Sequence, residues 1–372
     1  MEENNSPQPS GEEAAPNQNP KSPNKPSVAL IIGSEGIKSF CALPFIEYLL
    51  AEGVGIDLVI GVSGGALLAG FLGTGYDLRQ IQDIFSKTVD PRFFTDVDYD
   101  SVLEIASTGM GRFSSSSGIL KTDCLRRTYE ILFKKTDISD LKPRTLIAAT
   151  ELATGEPVIL DRGNLAKAIY AGSAIYPLMP PGEIDGRKLI DGAFSSPVPI
   201  MECVKRQIDI IIAIYFDDAC NPEPESFMES YFNTSRIFKR SILTSQLPLA
   251  IDMHHHEIIP VYIKHPRPIE LWEVNKLNEI VHAGKVALSN KKENFQDAVQ
   301  EYSKKMELRA EKRRRAEAEK IASENRKETK AQKKEQLTEQ KNKQEDQKQP
   351  DTPKRTFKIV KSKRKERKGK GV

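Results

Sequence analysis

The sequence has no run of 18 or more apolar residues, and no N-terminal stretch that joins a charged start to an apolar centre and a small-residue cleavage site. A membrane-spanning helix needs about 20 apolar residues, and a secretory leader needs that three-part start. The chain is therefore expected to be cytoplasmic, without signal peptide or transmembrane segment, touching membrane only peripherally. Cysteine is scarce: Cys41, Cys124, Cys203 and Cys220 form no CxxC pair and show no metal-ligand spacing. Such thiols suit a reducing compartment rather than a disulfide framework. No repeat of solenoid length occurs. Glycine and proline are missing between Lys291 and Pro350, which excludes tight turns there and favours helix.

Charge of one sign is scarce everywhere but at the end. Lys354–Lys370 holds ten Lys/Arg against the single Glu366, a surplus of nine, so with a whole-chain net charge of +3 the remainder is near −6. The basic balance belongs to a tail. Residues 1–27 are rich in Asn, Pro, Ser, Gln and Glu and have too little to bury to offset the entropy of ordering. Four parts are expected: a disordered leader (1–27), one large domain (28–290), a charged helical arm (291–350) and a basic disordered tail (351–372). Phe295, Val299, Tyr302 and Met306 fall at helical spacing, so the first turns of the arm can dock on the domain.

Inside the domain, short apolar runs alternate with helical stretches. Strands are expected at 27–32, 56–60, 146–149, 157–160, 188–190 and 208–215, with a helix over 40–50 and a last helix around 271–288. This alternation predicts an α/β fold with a mainly parallel sheet covered on both faces.

The sharpest motif is Gly61-Val62-Ser63-Gly64-Gly65, a GxSxG between an apolar strand and a helix-forming run. Its glycines permit a tight strand-to-helix turn that lifts the serine hydroxyl above the sheet, and the helix N-terminus favours a developing oxyanion. After the first strand comes Gly33-Ser34-Glu35-Gly36-Ile37-Lys38. In a parallel sheet successive strand ends lie side by side, so the N–H groups of this turn can aim at a carbonyl held by Ser63; a phosphate-binding loop or a plain turn remains an alternative. Asp191-Gly192-Ala193 follows the apolar pair Leu189-Ile190. A carboxylate at a strand end beside glycine can approach a serine as general base, although Asp-Gly is also a common turn.

In this order the three motifs resemble the patatin-like phospholipase family, and so do Ala148–Leu152 with Thr154-Gly155-Glu156, and Ala168–Pro177 with Pro180-Pro181. The resemblance covers about 28–288. It implies a three-layer α/β/α sandwich, a Ser-Asp dyad without catalytic histidine, and hydrolysis of an acyl ester of a phospholipid or related lipid, with no cofactor. Carried over by position, Ser63 is the nucleophile and Asp191 its base. Gly33, Ser34, Glu35, Gly36 and Lys38 form the oxyanion loop, Lys38 matching the family's usual arginine. The departure is Ser34-Glu35 where the family commonly has glycines, and a carboxylate there repels an oxyanion unless it is paired. A catalytically weak scaffold that binds lipid or a partner is the second reading.

Other features are weighed against these. His254-His255-His256 lacks an acidic or cysteine cluster beside it, so no metal is expected. Ser63, Asp191 and then His256 or His282 follow the order of an α/β-hydrolase triad, which keeps that esterase open. The stretch 90–118, with Phe93, Phe94, Tyr99, Met110 and Phe113, is either a lid or a cap on the core. The tail around Phe357, Ile359 and Val360 suits an anionic membrane, with nucleic acid or simple solubility also open on charge alone. Lipid head group, acyl position and oligomeric state are not encoded in any motif.

Overall fold

The computed structural model describes residues 26–88, 90–106, 111–254, 257–265, 267–270 and 273–346. In chain order the strands and α-helices are β1 (Val28–Ile32), α1 (Leu43–Ala51), β2 (Leu58–Val62), α2 (Gly64–Gly73), α3 (Leu78–Thr88), α4 (Tyr99–Ile105), α5 (Asp123–Phe133), β3 (Arg144–Glu151), β4 (Pro157–Leu160), α6 (Leu165–Ser173), β5 (Gly182–Ile184), β6 (Arg187–Asp191), α7 (Ile200–Lys205), β7 (Ile210–Asp218), α8 (Phe227–Met253), β8 (Glu257–His265) and α9 (Leu277–Asp346). The chain divides into two compact units, Met1–Glu307 and Leu308–Val372. The described part of the second unit is helix, with Arg315 and Glu311 paired at 2.6 Å across one turn.

The sheet runs β5-β6-β3-β2-β1-β7-β8, with β4 also on β3. β3, β2, β1, β7 and β8 are parallel, while β4, β6 and β5 join antiparallel at one edge. Side chains alternate along each strand, and both faces of β1 are buried. Val28, Leu30 and Ile32 pack with residues of α1, α2, α6 and the start of α9. Ala29 and Ile31 pack with Ile200 and Cys203 of α7 and Leu243 and Ala250 of α8. This is the sheet covered on both faces that the apolar runs predict, in the three-layer α/β/α arrangement that the resemblance implies.

The differences lie at the edges. The second strand is shifted two residues onward, to Leu58–Val62, so that it ends directly at Ser63. The helix expected over 40–50 is a 3-10 turn at Gly36–Ala42 followed by α1. β8 is an edge strand that tolerates Pro260 in its middle, because an edge position need not donate on its outer side. Of the arm's stripe, Phe295 is buried against Phe45 and Tyr48; the side chains of Val299, Tyr302 and Met306 lie outside the described residues.

Candidate active site

Three strand ends build the site. Ser63 follows Val62, whose partner on β3 is Ala148, while Asp191 closes β6 opposite Ala149. One strand thus holds the serine and the carboxylate on its two sides. β1 lies on the far side of β2, with Ile32 opposite Gly61, which brings the turn 33–38 beside the serine.

Ser63 sits at φ 54° and ψ −122° before the first turn of α2. A left-handed φ at a non-glycine residue costs on the order of 1–3 kcal/mol, and here it lifts the hydroxyl from the sheet into a cavity. Its neighbour must be glycine. A Cβ on Gly64 would stand 2.0 Å from the carbonyl oxygen of Gly36, so the elbow and the turn after β1 touch backbone to backbone. Gly61 is the penultimate residue of β2 and Gly65 lies in the first turn of α2.

The Ser63 side chain lies beside the Asp191 carboxylate, which accepts from the Ala193 N–H at 2.9 Å. Both side chains are buried. Burial pushes the Asp191 carboxyl up to about 6, against the neighbouring Ser63 hydroxyl, the Ala193 N–H and the Lys239 ammonium, which lower it, and with the Glu35 charge, which raises it further. The main chain holds the residue in place: its N–H donates to Ala174 O at 2.9 Å, and Thr150 Oγ1 donates to its carbonyl at 3.0 Å. Gly192 is required because a Cβ there would meet Ala148 O at 2.5 Å.

The turn after β1 divides by function. Three of its N–H groups are committed: Gly33 to Ile214 O at 2.9 Å, Ser34 to Pro197 O at 3.3 Å and Lys38 to Glu35 O at 3.0 Å. Lys38 is the first internal donor of the 3-10 turn, so the N–H groups of Gly36 and Ile37 precede its hydrogen-bonded ladder. Glu35 is buried, and its carboxylate is held by Lys38 at 3.1 Å and by Lys239 of α8 at 2.7 Å. The charge that could oppose an oxyanion is thereby paired.

Ser63 stands between two cavities that share Gly36, Ser63 and Ile175. One, enclosing about 780 Å³ of empty space with its mouth, is walled by apolar side chains including Phe40, Leu67, Phe71, Phe85, Leu125 and Leu132. The other, about 970 Å³ with its mouth, is polar at its base, where Glu35, Lys38, Asp191, Arg236, Lys239 and Glu270 meet. Phe93 and Phe94 line the first cavity, Tyr99 and Phe113 are exposed, and Met110 lies outside the described residues.

Sequence reasoning misses the α8 contribution. Lys239 is 204 positions from Glu35, and no motif marks it. Of the two histidines that could complete a triad, His256 lies outside the described residues with His255, and His282 is exposed on α9 and lines neither cavity. Among the described residues no group of three or more His, Cys, Asp or Glu could hold a metal ion, and no helix is long and apolar enough to cross a membrane.

Comparison with known proteins follows the same residues. The sequence profile of the patatin-like phospholipase family matches residues 30–204. An uncharacterised NTE family protein of Mycobacterium tuberculosis is 28% identical over 189 residues, 51% of this chain and 49% of that protein. Lysophospholipase NTE1 of Debaryomyces hansenii is 24% identical over 250 residues, 66% of this chain and 15% of its own length. The chain thus spans about half the length of the mycobacterial relative and a small part of the fungal one. Among solved structures, VipD from Legionella pneumophila aligns with a TM-score of 0.41 at 12% identity, covering 76% of this chain and 67% of that one.

Proposed function

We propose that this chain, whose residues 30–204 form a patatin-like phospholipase domain, hydrolyses fatty-acyl esters of phospholipids or related lipids through Ser63 and Asp191. The observation that carries the reading is Ser63 at a strained strand-to-helix elbow beside the buried Asp191 carboxylate, with an apolar cavity opening at the same serine.

Ser63 Oγ attacks the ester carbonyl while Asp191 takes its proton. The oxyanion is met by N–H groups of Gly36 and its neighbours in the turn after β1, and by that of Gly64 at the start of α2. Backbone donors fixed before reaction need no reorganisation, and removing one such donor in other enzymes costs about 10²–10³ in rate. The proton then passes to the departing alcohol, and the acyl chain stays on Ser63 in the apolar cavity. Water activated by Asp191 cleaves that acyl-enzyme, returning the proton to Ser63. A base with a pKa raised towards working pH suits this exchange. Lys38 and Lys239 pair the Glu35 carboxylate, which favours a working enzyme over a lipid-binding scaffold.

The test is hydrolysis of a short-chain p-nitrophenyl ester and of a phospholipid by wild type, Ser63→Ala, Asp191→Asn, His256→Ala and His282→Ala in parallel. Loss of at least about 10³-fold in the first two variants, with both histidine variants active, is expected. An inactive histidine variant would move the assignment to a triad, and an inactive wild type to the scaffold.

A further inference from the structure

α8 is built inside out. A helix on a globular protein normally buries its apolar face and exposes its polar one. In the first half of α8 the buried positions are Asn233 and Arg236, while Phe227 and Phe238 are 70% and 63% exposed. The inner face is fixed by polar contacts: Arg236 to Glu270 at 3.2 Å, Lys239 to Glu35 at 2.7 Å and Tyr231 Oη to Tyr176 O at 3.1 Å.

The outer apolar residues follow a rule. Exposed Phe227, Phe238, Leu249 and Met253, with half-buried Ile242, recur at steps of eleven, four, seven and four, a spacing that keeps residues on one stripe of a helix over its length, while Ile237 and Ile251 are exposed away from it. At 1.5 Å per residue the stripe is roughly 39 Å long. Between its members lie uncharged Thr234, Ser235, Ser241 and Ser245, with exposed Asp252 at the C-terminal end. An exposed apolar patch of this extent marks an interaction surface.

We infer that the outer face of α8 docks on a lipid surface of zwitterionic head groups and feeds lipid from it to Ser63. The inference rests on the lipid hydrolase reading above. The stripe runs into the site, because Phe238 and Ile242 belong to it and also line the polar cavity beside Ser63 and Asp191. Charge selects the kind of surface. The approach to the N-terminus of α8 carries exposed Glu223 and Glu225, which complement the ammonium of a choline-type head group and repel an anionic one. A helix lying in the interface plane buries its apolar face at the boundary of head groups and acyl chains, which places the cavity mouth against the substrate layer.

The full chain carrying Phe227→Ser, Leu249→Ser and Met253→Ser tests this, since none of the three lines either cavity. Partition onto phosphatidylcholine vesicles should fall at least about tenfold, with the far-UV circular dichroism and the turnover of a soluble p-nitrophenyl ester within about threefold of wild type. The stripe-dependent share of binding, wild type less variant, should be larger on phosphatidylcholine than on phosphatidylglycerol vesicles. Unchanged partition on phosphatidylcholine overturns the inference, as does a larger stripe-dependent share on the anionic vesicles. A wild-type dimer that the substitutions convert to monomer assigns the stripe to a second copy and also overturns it. Stripe-dependent binding by a chain that turns over no ester would leave docking standing and remove the hydrolase reading.

Discussion

Gly64 and Gly36 meet backbone to backbone: a Cβ on Gly64 would lie 2.0 Å from the Gly36 carbonyl oxygen. The contact joins the elbow that carries Ser63 to the turn that would receive an oxyanion. Gly64→Ala should therefore push the two apart, and a shift of 1 Å in such a constellation can cost about 10²-fold. We expect at least that loss in kcat/KM on a soluble ester, together with a lower melting temperature in a thermal unfolding scan. Full activity in a stably folded Gly64→Ala variant would show that the two loops do not act as one site.

Asp191 should limit activity on the acid side. Its carboxyl is pushed up to about 6 by burial, and only the ionised form accepts the serine proton. The rate should fall as pH drops through about 6. Lys239 favours the ionised form and Glu35 opposes it, so Lys239→Met should move the acid limb to higher pH, with Lys239→Arg restoring it. A pH profile of kcat/KM reads both, and a limb unmoved by Lys239→Met would exclude that ammonium from tuning the base.

The same burial costs stability. A carboxyl whose folded pKa is raised above its unfolded value binds its proton more tightly when folded, so stability falls as pH rises from about 4 to above about 6. The shift from 3.8 to about 6 corresponds to a cost on the order of 3 kcal/mol at neutral pH. Asn at 191 keeps an acceptor for the Ala193 N–H without the charge. Asp191→Asn should raise the melting temperature at pH 7 while abolishing turnover, and the gain should vanish near pH 4. A variant destabilised at pH 7 would mean that Asp191 is held by interactions its burial does not outweigh.

The centre of the fold was legible in the sequence, and its rim was not. Gly33 and Ser63 each follow an apolar run, and successive apolar runs buried as neighbouring parallel strands bring their ends together, whereas the place of Asp191 rested on the family resemblance. That β3 separates Ser63 from Asp191 was not readable, because β6 joins antiparallel through the short β5 hairpin, and strand order leaves no mark on composition. Lys239 escaped for a different reason. Its partner Glu35 lies 204 positions away, and the helix carrying it has its polar side inward, so periodicity assigns the wrong face to the core. Pro260 hid β8 in the same way, by breaking the pattern where an edge strand tolerates it.

The apolar cavity should set acyl-chain length. Leu132 and Leu125 line it at α5, across from Phe71 and Phe40, so a larger side chain at 132 fills space that a long acyl chain would occupy while leaving the oxygen of Ser63 free. Leu132→Trp should lower kcat/KM for p-nitrophenyl palmitate by about tenfold or more, since each methylene denied burial forfeits about 0.8 kcal/mol. Acetate ester turnover should change by less than about threefold. Because α5 also contributes to the core through Leu125, Tyr129 and Phe133, the acetate rate serves as the control for folding. Equal loss on both esters would mean that position 132 supports the fold and not the chain. An unchanged preference would place the acyl group in the polar cavity, with the head group on the side of Phe71.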